Sequence, residues 1–430
     1  MTTIVFPSSR VYPRTQASVE QKRLRRVQWV WCLLFLNVMS FDVQPMALPI
    51  PHRIGQLVTQ AALAVALILA LSVNPKVKIR PSIFLGLYTV LGVLALVISI
   101  RFVGVGTAYR GARLIVFLAV LWLTTPWWGR RDLLLLRAQV RVLLIILASV
   151  VVGVLLSPHA AFQFTAGARR LSGALWPMPS TQVGHYMAEL TGLALILWVC
   201  GLVKRRWALW VVIPGLTALL LTHTRTALAA MVVGLLVAAL SLFTGSRRVR
   251  RIMAVGALVV AIGAVPLAPV LSNWLVRGES SAQVANLSGR TEVWPQVLSE
   301  QRPEINKLLG SGLSNGGVVG APNPAYDGLP IDDSWVEAYQ DQGLVGDIFV
   351  GAIFLVVLLL ALLRPRGPAR AMALFLLVYC FIASFTETGM GGASTYLLDM
   401  TLAASLLALP SGIGPVRWGP RQKQTGLALE

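Results

Sequence analysis

Twelve apolar runs, each near the length of one bilayer crossing, recur along the chain and are punctuated by Arg, Lys, Pro or Gly. A helix spans the hydrocarbon core with about 20 apolar residues. Lipid offers the backbone no hydrogen-bond partner, so runs of this kind restrict the fold to a bundle of membrane helices. They fall at 27–50, 54–73, 81–100, 111–128, 137–156, 182–203, 207–222, 226–243, 252–271, 343–363, 371–386 and 393–409. The 430 residues are 56% hydrophobic and 13% charged, with a mean hydropathy of +0.73, which excludes an ordinary soluble domain. The expected fold class is all-α, a polytopic bundle of about 12 transmembrane helices.

The 37 Lys and Arg against 17 Asp and Glu give a net charge of +20. In a soluble chain that balance suggests nucleic acid as a partner. In a membrane chain basic residues collect in the cytoplasmic connections instead. With the N-terminus inside, the first tail, 74–81, 129–132 with Arg137, 204–206, 245–251, 364–370 and the last tail hold 25 of the 37 basic residues. The acids there are only Glu20, Asp132 and Glu430, so orientation accounts for the whole net charge and no nucleic-acid partner is expected. The expected organisation is a basic cytoplasmic tail at 1–26, nine helices within 27–271, a long extracytoplasmic loop at 272–342, three helices within 343–409 and a cytoplasmic tail at 410–430. The polar stretch before the first run is too long for an ordinary cleaved signal peptide. Cys32, Cys200 and Cys380 lie far apart in apolar runs, forming neither a disulfide framework nor a metal site.

Loop 272–342 holds nine of the 17 acids, and RTEVWPQVLSE and DSWVEAYQDQG within it have the apolar periodicity of short helices. Arginines away from the cytoplasmic side are informative because topology does not explain them. Arg225 sits between two long apolar runs, where a cation either snorkels or meets an anion. Guanidinium forks match diphosphate oxygens bidentately and keep their charge. The glycines at 310, 312, 316 and 317 allow a tight turn whose amides could face an anion. Asp332 and Asp333 follow; Asp333 or Ser334 fits a helix N-cap, while a carboxylate beside arginines fits a general base for a sugar hydroxyl. The same pair could also take a divalent ion, but no further acidic ligand stands at a persuasive spacing. His223 is either an interfacial hydrogen-bonder or a contact of the anion at Arg225. His185 and Glu189, at i and i+4, share a helix face and either pair inside the bundle or shape an acceptor groove. Asp42, Asp347, Glu387 and Asp399 lie in or at the ends of runs, where ionisable residues have partners or line a cavity; Glu387, near the outer face, stands out.

Five motifs in order resemble a known family. RLSGALWPMPSTQVGHYMA at 170–188, THTRTALAAMVVG, SGRTEVW, GSGLSNGG and DDSWVEAYQDQGLVG are similar to the conserved stretches of the bacterial O-antigen ligase and polysaccharide polymerase family and cover about residues 169–350. The resemblance implies an integral membrane glycosyltransferase of the bacterial inner (cytoplasmic) membrane, acting at the outer face on an undecaprenyl diphosphate-linked oligosaccharide. It implies Arg225 and Arg290, with Arg170 as a third, as ligands of the donor diphosphate. It makes Asp332 the catalytic carboxylate at the position where the ligases have a histidine, with Asp333 where an asparagine is usual. That departure points to a polymerase of O-antigen or exopolysaccharide, with a chain-length regulator protein as a possible partner. The alternative within the class is a ligase that passes the finished glycan to a lipid A core or cell-wall acceptor. A flippase or secondary transporter is the reading from another class, but transporters carry polar sites at mid-membrane between related halves, whereas polar residues here gather at one face. Fixed arginines neutralise a leaving diphosphate without a metal, so neither cofactor nor metal is expected.

Overall fold

A computed structural model describes residues 14–41, 45–47, 50–102, 105–165, 167–243, 248–252, 254–255, 269, 272–276, 280, 290–300, 302–313 and 317–410. Most of the expected run at 252–271, Asp42, Gly316, residues 288–289 of the SGRTEVW motif and the terminal stretches 1–13 and 411–430 lie outside them.

The described chain is mostly helical. It begins with α1 (Arg14–Val38), α2 (His52–Val73), α3 (Ile83–Phe102), α4 (Val105–Thr124) and α5 (Leu134–Leu156). A one-turn helix α6 (Pro158–Ala161) leads into an antiparallel hairpin of β1 (Phe162–Thr165) and β2 (Ala168–Leu171), in which Gln163 faces Arg170. Three helices follow, α7 (Ser180–Val199), α8 (Arg205–Leu221) and α9 (Arg225–Phe243). Beyond residue 290 come the short α10 (Arg290–Leu298) and α11 (Glu304–Leu309), then α12 (Ser334–Leu363), α13 (Pro368–Ala383) and α14 (Thr395–Leu407).

Among the described residues, six segments are long and apolar enough to cross a membrane: His52–Val73, Ile83–Arg101, Ala108–Trp127, Leu134–Leu156, Arg225–Phe243 and Ser334–Leu363. The protein is a membrane protein by this character. α7 is as long, but Ser180, His185, Glu189 and Thr191 interrupt its apolar run. All four are buried by neighbouring helices, which is where polar groups in such a bundle find partners. Outward-facing positions such as Trp210, Leu155 and Leu363 are instead large, apolar and exposed, as a lipid-facing surface requires.

Sequence neighbours pack as pairs, α1 on α2, α3 on α4, α7 on α8 and α13 on α14, and α9 runs along α13. Small residues set the closest approaches. Phe375 of α13 lies between Gly192 of α7 and Gly234 of α9, where an added Cβ would come within 2.1 and 3.0 Å of its ring.

The two ends of the bundle differ. One end gathers the basic connections: Arg23 Nε donates to Val73 O, Arg80 Nη1 to Trp128 O, and the amide of Gly129 to Ser405 O. α1 enters this end already helical from Arg14, so the stretch expected to be a tail through residue 26 is a helix over its second half, with Glu20 beside Arg130. The opposite end carries the hairpin, the α8–α9 corner, the α13–α14 connection and the segment from α10 to the start of α12. That segment has its own small core of Val293, Val297, Val318 and Ile331. α12 breaks at Gly343, whose φ of 65° and ψ of −164° are not helical. A Cβ there would lie 2.4 Å from the Leu308 carbonyl carbon, so the close pass of the α11 end requires glycine.

Candidate functional site

The site is built from three connections at the end opposite the basic loops. The first is the corner between α8 and α9. α8 ends at Leu221, His223 adopts a left-handed φ of 50°, and α9 starts at Arg225. Arg170 of β2 clamps this corner: its Nε donates to Thr222 O at 2.9 Å and its Nη2 to Thr224 Oγ1 at 3.3 Å. The guanidinium thereby meets the unsatisfied carbonyl end of α8, a favoured place for a cation. Arg170 is 8% exposed. Two of its donors position the turn that presents Arg225, a role that stands beside the expected one of third diphosphate ligand. Gly184 of α7 makes room for the corner, since a Cβ there would be 2.7 Å from Thr224 Oγ1.

Arg225 is half-buried at the first residue of α9, the positive end of that helix dipole. Its Nη2 reaches Val276 O at 3.4 Å, and Trp274 Nε1 donates to Leu220 O, so residues 272–276 lie over the corner. His223 stacks on Trp274, with centroids 5.5 Å apart and planes 20° apart. This ring contact gives His223 a packing role in the corner.

The second connection carries Arg290 and Asp332. Arg290 opens α10, and its Nε and Nη2 both donate to Asp332 Oδ2 at 3.3 Å. Asp332 has a φ of 48°, a left-handed conformation that costs an Asp energy unless its surroundings fix it. They do: Ile331 is fully buried, its carbonyl accepts from Trp294 Nε1, and Asp333 caps the next helix. Asp333 Oδ1 accepts from the amides of Trp335 and Val336 at 2.8 and 2.9 Å. Burial raises its carboxyl, opposed by those two amides and by Arg290. Asp332 Oδ2 is thus paired to Arg290, while Asp333 Oδ1 is turned to the backbone.

The third connection is 384–394. It is tied to the start of α12 by Ser334, whose amide donates to Ser384 O and whose hydroxyl donates to Glu387 O at 2.6 Å. Glu337 Oε2 accepts from the Gly389 amide at 2.8 Å. The Glu387 carboxyl is pushed up to about 7, chiefly by burial, with Arg290 and Arg170 opposing the rise and Asp332 adding to it. Glu387 thus feels the charges of both the corner and the loop, which brings the three connections into one electrostatic site.

The glycine run does something other than expected. The amides of Gly310, Ser311 and Gly312 donate to the carbonyls of Asn306, Gln340 and Asp341, so they anchor α11 to α12 rather than face an anion. His185 and Glu189 are likewise apart from this site. They lie 4% and 0% exposed inside the bundle, and His185 Nε2 meets Asp399 Oδ2 at 2.9 Å instead of pairing with Glu189. Gln139 Nε2 donates to Glu189 Oε1 and Asp399 Oδ1 at 2.6 and 2.8 Å, and Gln139 Oε1 accepts from Trp31 Nε1. One donor atom each from His185, Glu189 and Asp399 lie within 4.8 Å of one another, the one set among the described residues with metal-ligand spacing. This polar knot joins α1, α5, α7 and α14 inside the bundle. Asp399 carried a signal in the sequence, an acid within an apolar run. Gln139, Thr224 and Ser334 carried little, because polar residues of those types are common in helices and turns.

An apolar groove of about 600 Å³ runs between α5 and α8 on the outside of the bundle. Along α8 it extends from Arg206 to Leu221, and at its far end it includes Leu171. Those two leucines adjoin Thr222 and Arg170 in sequence, so the groove ends at the clamped corner. No protein-family model matches the chain, and no curated protein matches it in sequence.

Proposed function

We propose that this protein is a membrane glycosyltransferase of the O-antigen ligase and polymerase type, which polymerises a cell-surface polysaccharide from a polyprenyl diphosphate-linked oligosaccharide. The observation that carries this reading is the continuity between an apolar groove and a cationic corner. A polyprenyl diphosphate is a long apolar chain ending in a compact anion. The groove along α8 from Arg206 to Leu221, about 24 Å long, suits the chain. Its end at Leu171 and Leu221 delivers the diphosphate to the corner that exposes Arg225 at a helix N-terminus.

In this reading the bundle has twelve spans with both termini in the cytoplasm, and the site faces the opposite side, in a bacterial inner membrane. The acceptor hydroxyl attacks the anomeric carbon of the donor sugar. The bond from that carbon to the diphosphate oxygen breaks, and the electron pair leaves on the lipid diphosphate. Arg225 and Arg290 stabilise the growing negative charge without reorganising, because both are held before the substrate arrives. The hydroxyl proton passes to the Asp332 carboxylate, whose Oδ2 is already oriented by Arg290. Glu387, titrating near neutrality beside both, sets the net charge the donor meets.

The test is reconstitution of the purified protein in vesicles with an undecaprenyl diphosphate-linked oligosaccharide. Lengthened lipid-linked glycans are the expected product. Passage of the carrier across the bilayer with no new glycosidic bond would overturn the proposal in favour of a transporter.

A further inference from the structure

Between them α1 and α5 leave a cavity of about 820 Å³, open to the outside, that runs from the basic end of the bundle to Met39 and Trp176. Its walls change character along their length. Near the basic end the lining residues include Arg25, Gln28, Arg137 and Arg141; farther along they are apolar, among them Leu36 and Ile146.

The cations there outnumber the acids among the lining residues. Arg137 and Arg141 are one turn apart on the same face of α5 and feel each other's charge. Arg141 lies seven residues inside an apolar helix, roughly 10 Å beyond its start, and is exposed where lipid would be. Its described hydrogen bond runs from Nη1 to the neutral amide oxygen of Gln28 at 2.7 Å. Asp132, the acid that lines the cavity, already takes a fork from Arg130, with Nε and Nη2 each at 3.2 Å. Asp132 also acts on Arg137, more strongly than Arg141 does. Among the lining residues three guanidiniums thus stand against one carboxylate, which Arg130 shares.

We propose that this cavity is a binding site for an anionic phospholipid. The headgroup phosphate sits among Arg25, Arg137 and Arg141, and an acyl chain lies along Cys32, Leu36, Ile145 and Ile146. Charge complementarity selects the occupant. A zwitterionic lipid would bring an ammonium group into a cluster that is already cationic, and a free phosphate would leave the apolar wall uncovered. Arg rather than Lys at all three positions fits bidentate phosphate recognition. The site depends only on the membrane character of the protein and not on the glycosyltransferase reading.

The experiment is native mass spectrometry and thermal unfolding of the full-length protein, extracted in detergent and offered phosphatidylglycerol, phosphatidylcholine or inorganic phosphate. Phosphatidylglycerol should be retained preferentially and raise the unfolding temperature, and inorganic phosphate should do neither. In Arg137→Gln/Arg141→Gln the affinity for phosphatidylglycerol should fall by roughly tenfold or more, while the Lys double variant keeps part of it. Equal retention of the two phospholipids by the unaltered protein overturns the proposal, whether or not the variants fold. Undiminished phosphatidylglycerol binding by a folded Gln variant overturns the assignment to these arginines.

Discussion

Arg290 and Asp332, 42 residues apart in sequence, meet through a fork in which two guanidinium nitrogens share one carboxylate oxygen at 3.3 Å. The pair is partly exposed, so its worth as a surface ion pair is small. What it does is orient. Asp332→Asn keeps the shape and removes the basicity, so donor binding should persist while turnover falls by about 10²-fold or more in a vesicle transfer assay. An unchanged rate would leave Asp332 as no more than a partner for Arg290.

Arg225 and Arg170 should separate in their effects, although both were expected to hold the diphosphate. Arg225→Ala should abolish transfer with little change in thermal unfolding. Arg170→Ala should lower both, because it frees the Thr222 carbonyl and the Thr224 hydroxyl in a buried corner; charge-assisted bonds of this kind are worth about 1.5–3 kcal/mol each. Equal stability of the two variants would remove the positioning role of Arg170.

Gly184 tests whether the corner matters to the chemistry. Its missing Cβ leaves room for Thr224 Oγ1 and Thr222 Oγ1, which would otherwise be 2.7 and 2.9 Å away. Gly184→Val should overpack this contact, at a cost of about 1–3 kcal/mol, and displace the turn that presents Arg225. Activity measured below the unfolding temperature should drop; a fully active Val variant would show that the corner tolerates movement.

Asp333→Ala should cost about 1 kcal/mol in unfolding free energy by removing the two capping bonds at the start of α12. Asparagine at this position retains the capping acceptor, so Asp333→Asn should be closer to the unaltered protein. Denaturant titration in detergent compares the two.

Glu387 predicts the pH dependence. Its carboxyl titrates near 7 when folded against 4.5 ordinarily. Between those values the folded protein keeps a proton that the unfolded chain has released, so this group's contribution to stability is full below 4.5 and is lost as pH rises toward about 7. Above 7 the carboxylate adds negative charge beside Arg290, and the KM for an anionic donor should rise. Glu387→Gln should flatten that rise; the same pH profile in the variant would assign the change to another group.

The sequence by itself determined the class of fold. Apolar runs about as long as a bilayer is thick leave few alternatives to helices, since the backbone must satisfy its own hydrogen bonds. It also marked Arg225, a cation between two apolar runs, and Asp333 as a cap before a helical stretch, because both are local signals. Tertiary structure alone decided how those residues divide their work. Whether Arg170 binds a ligand or clamps a turn depends on a carbonyl 52 residues away, and whether His185 pairs with Glu189 or Asp399 depends on how α14 packs against α7. Hydrogen bonds between distant segments follow from packing, in which the space left by Gly184, or filled by Phe375 between two glycines, fixes which polar atoms come within reach. Local sequence pattern carries no record of that geometry.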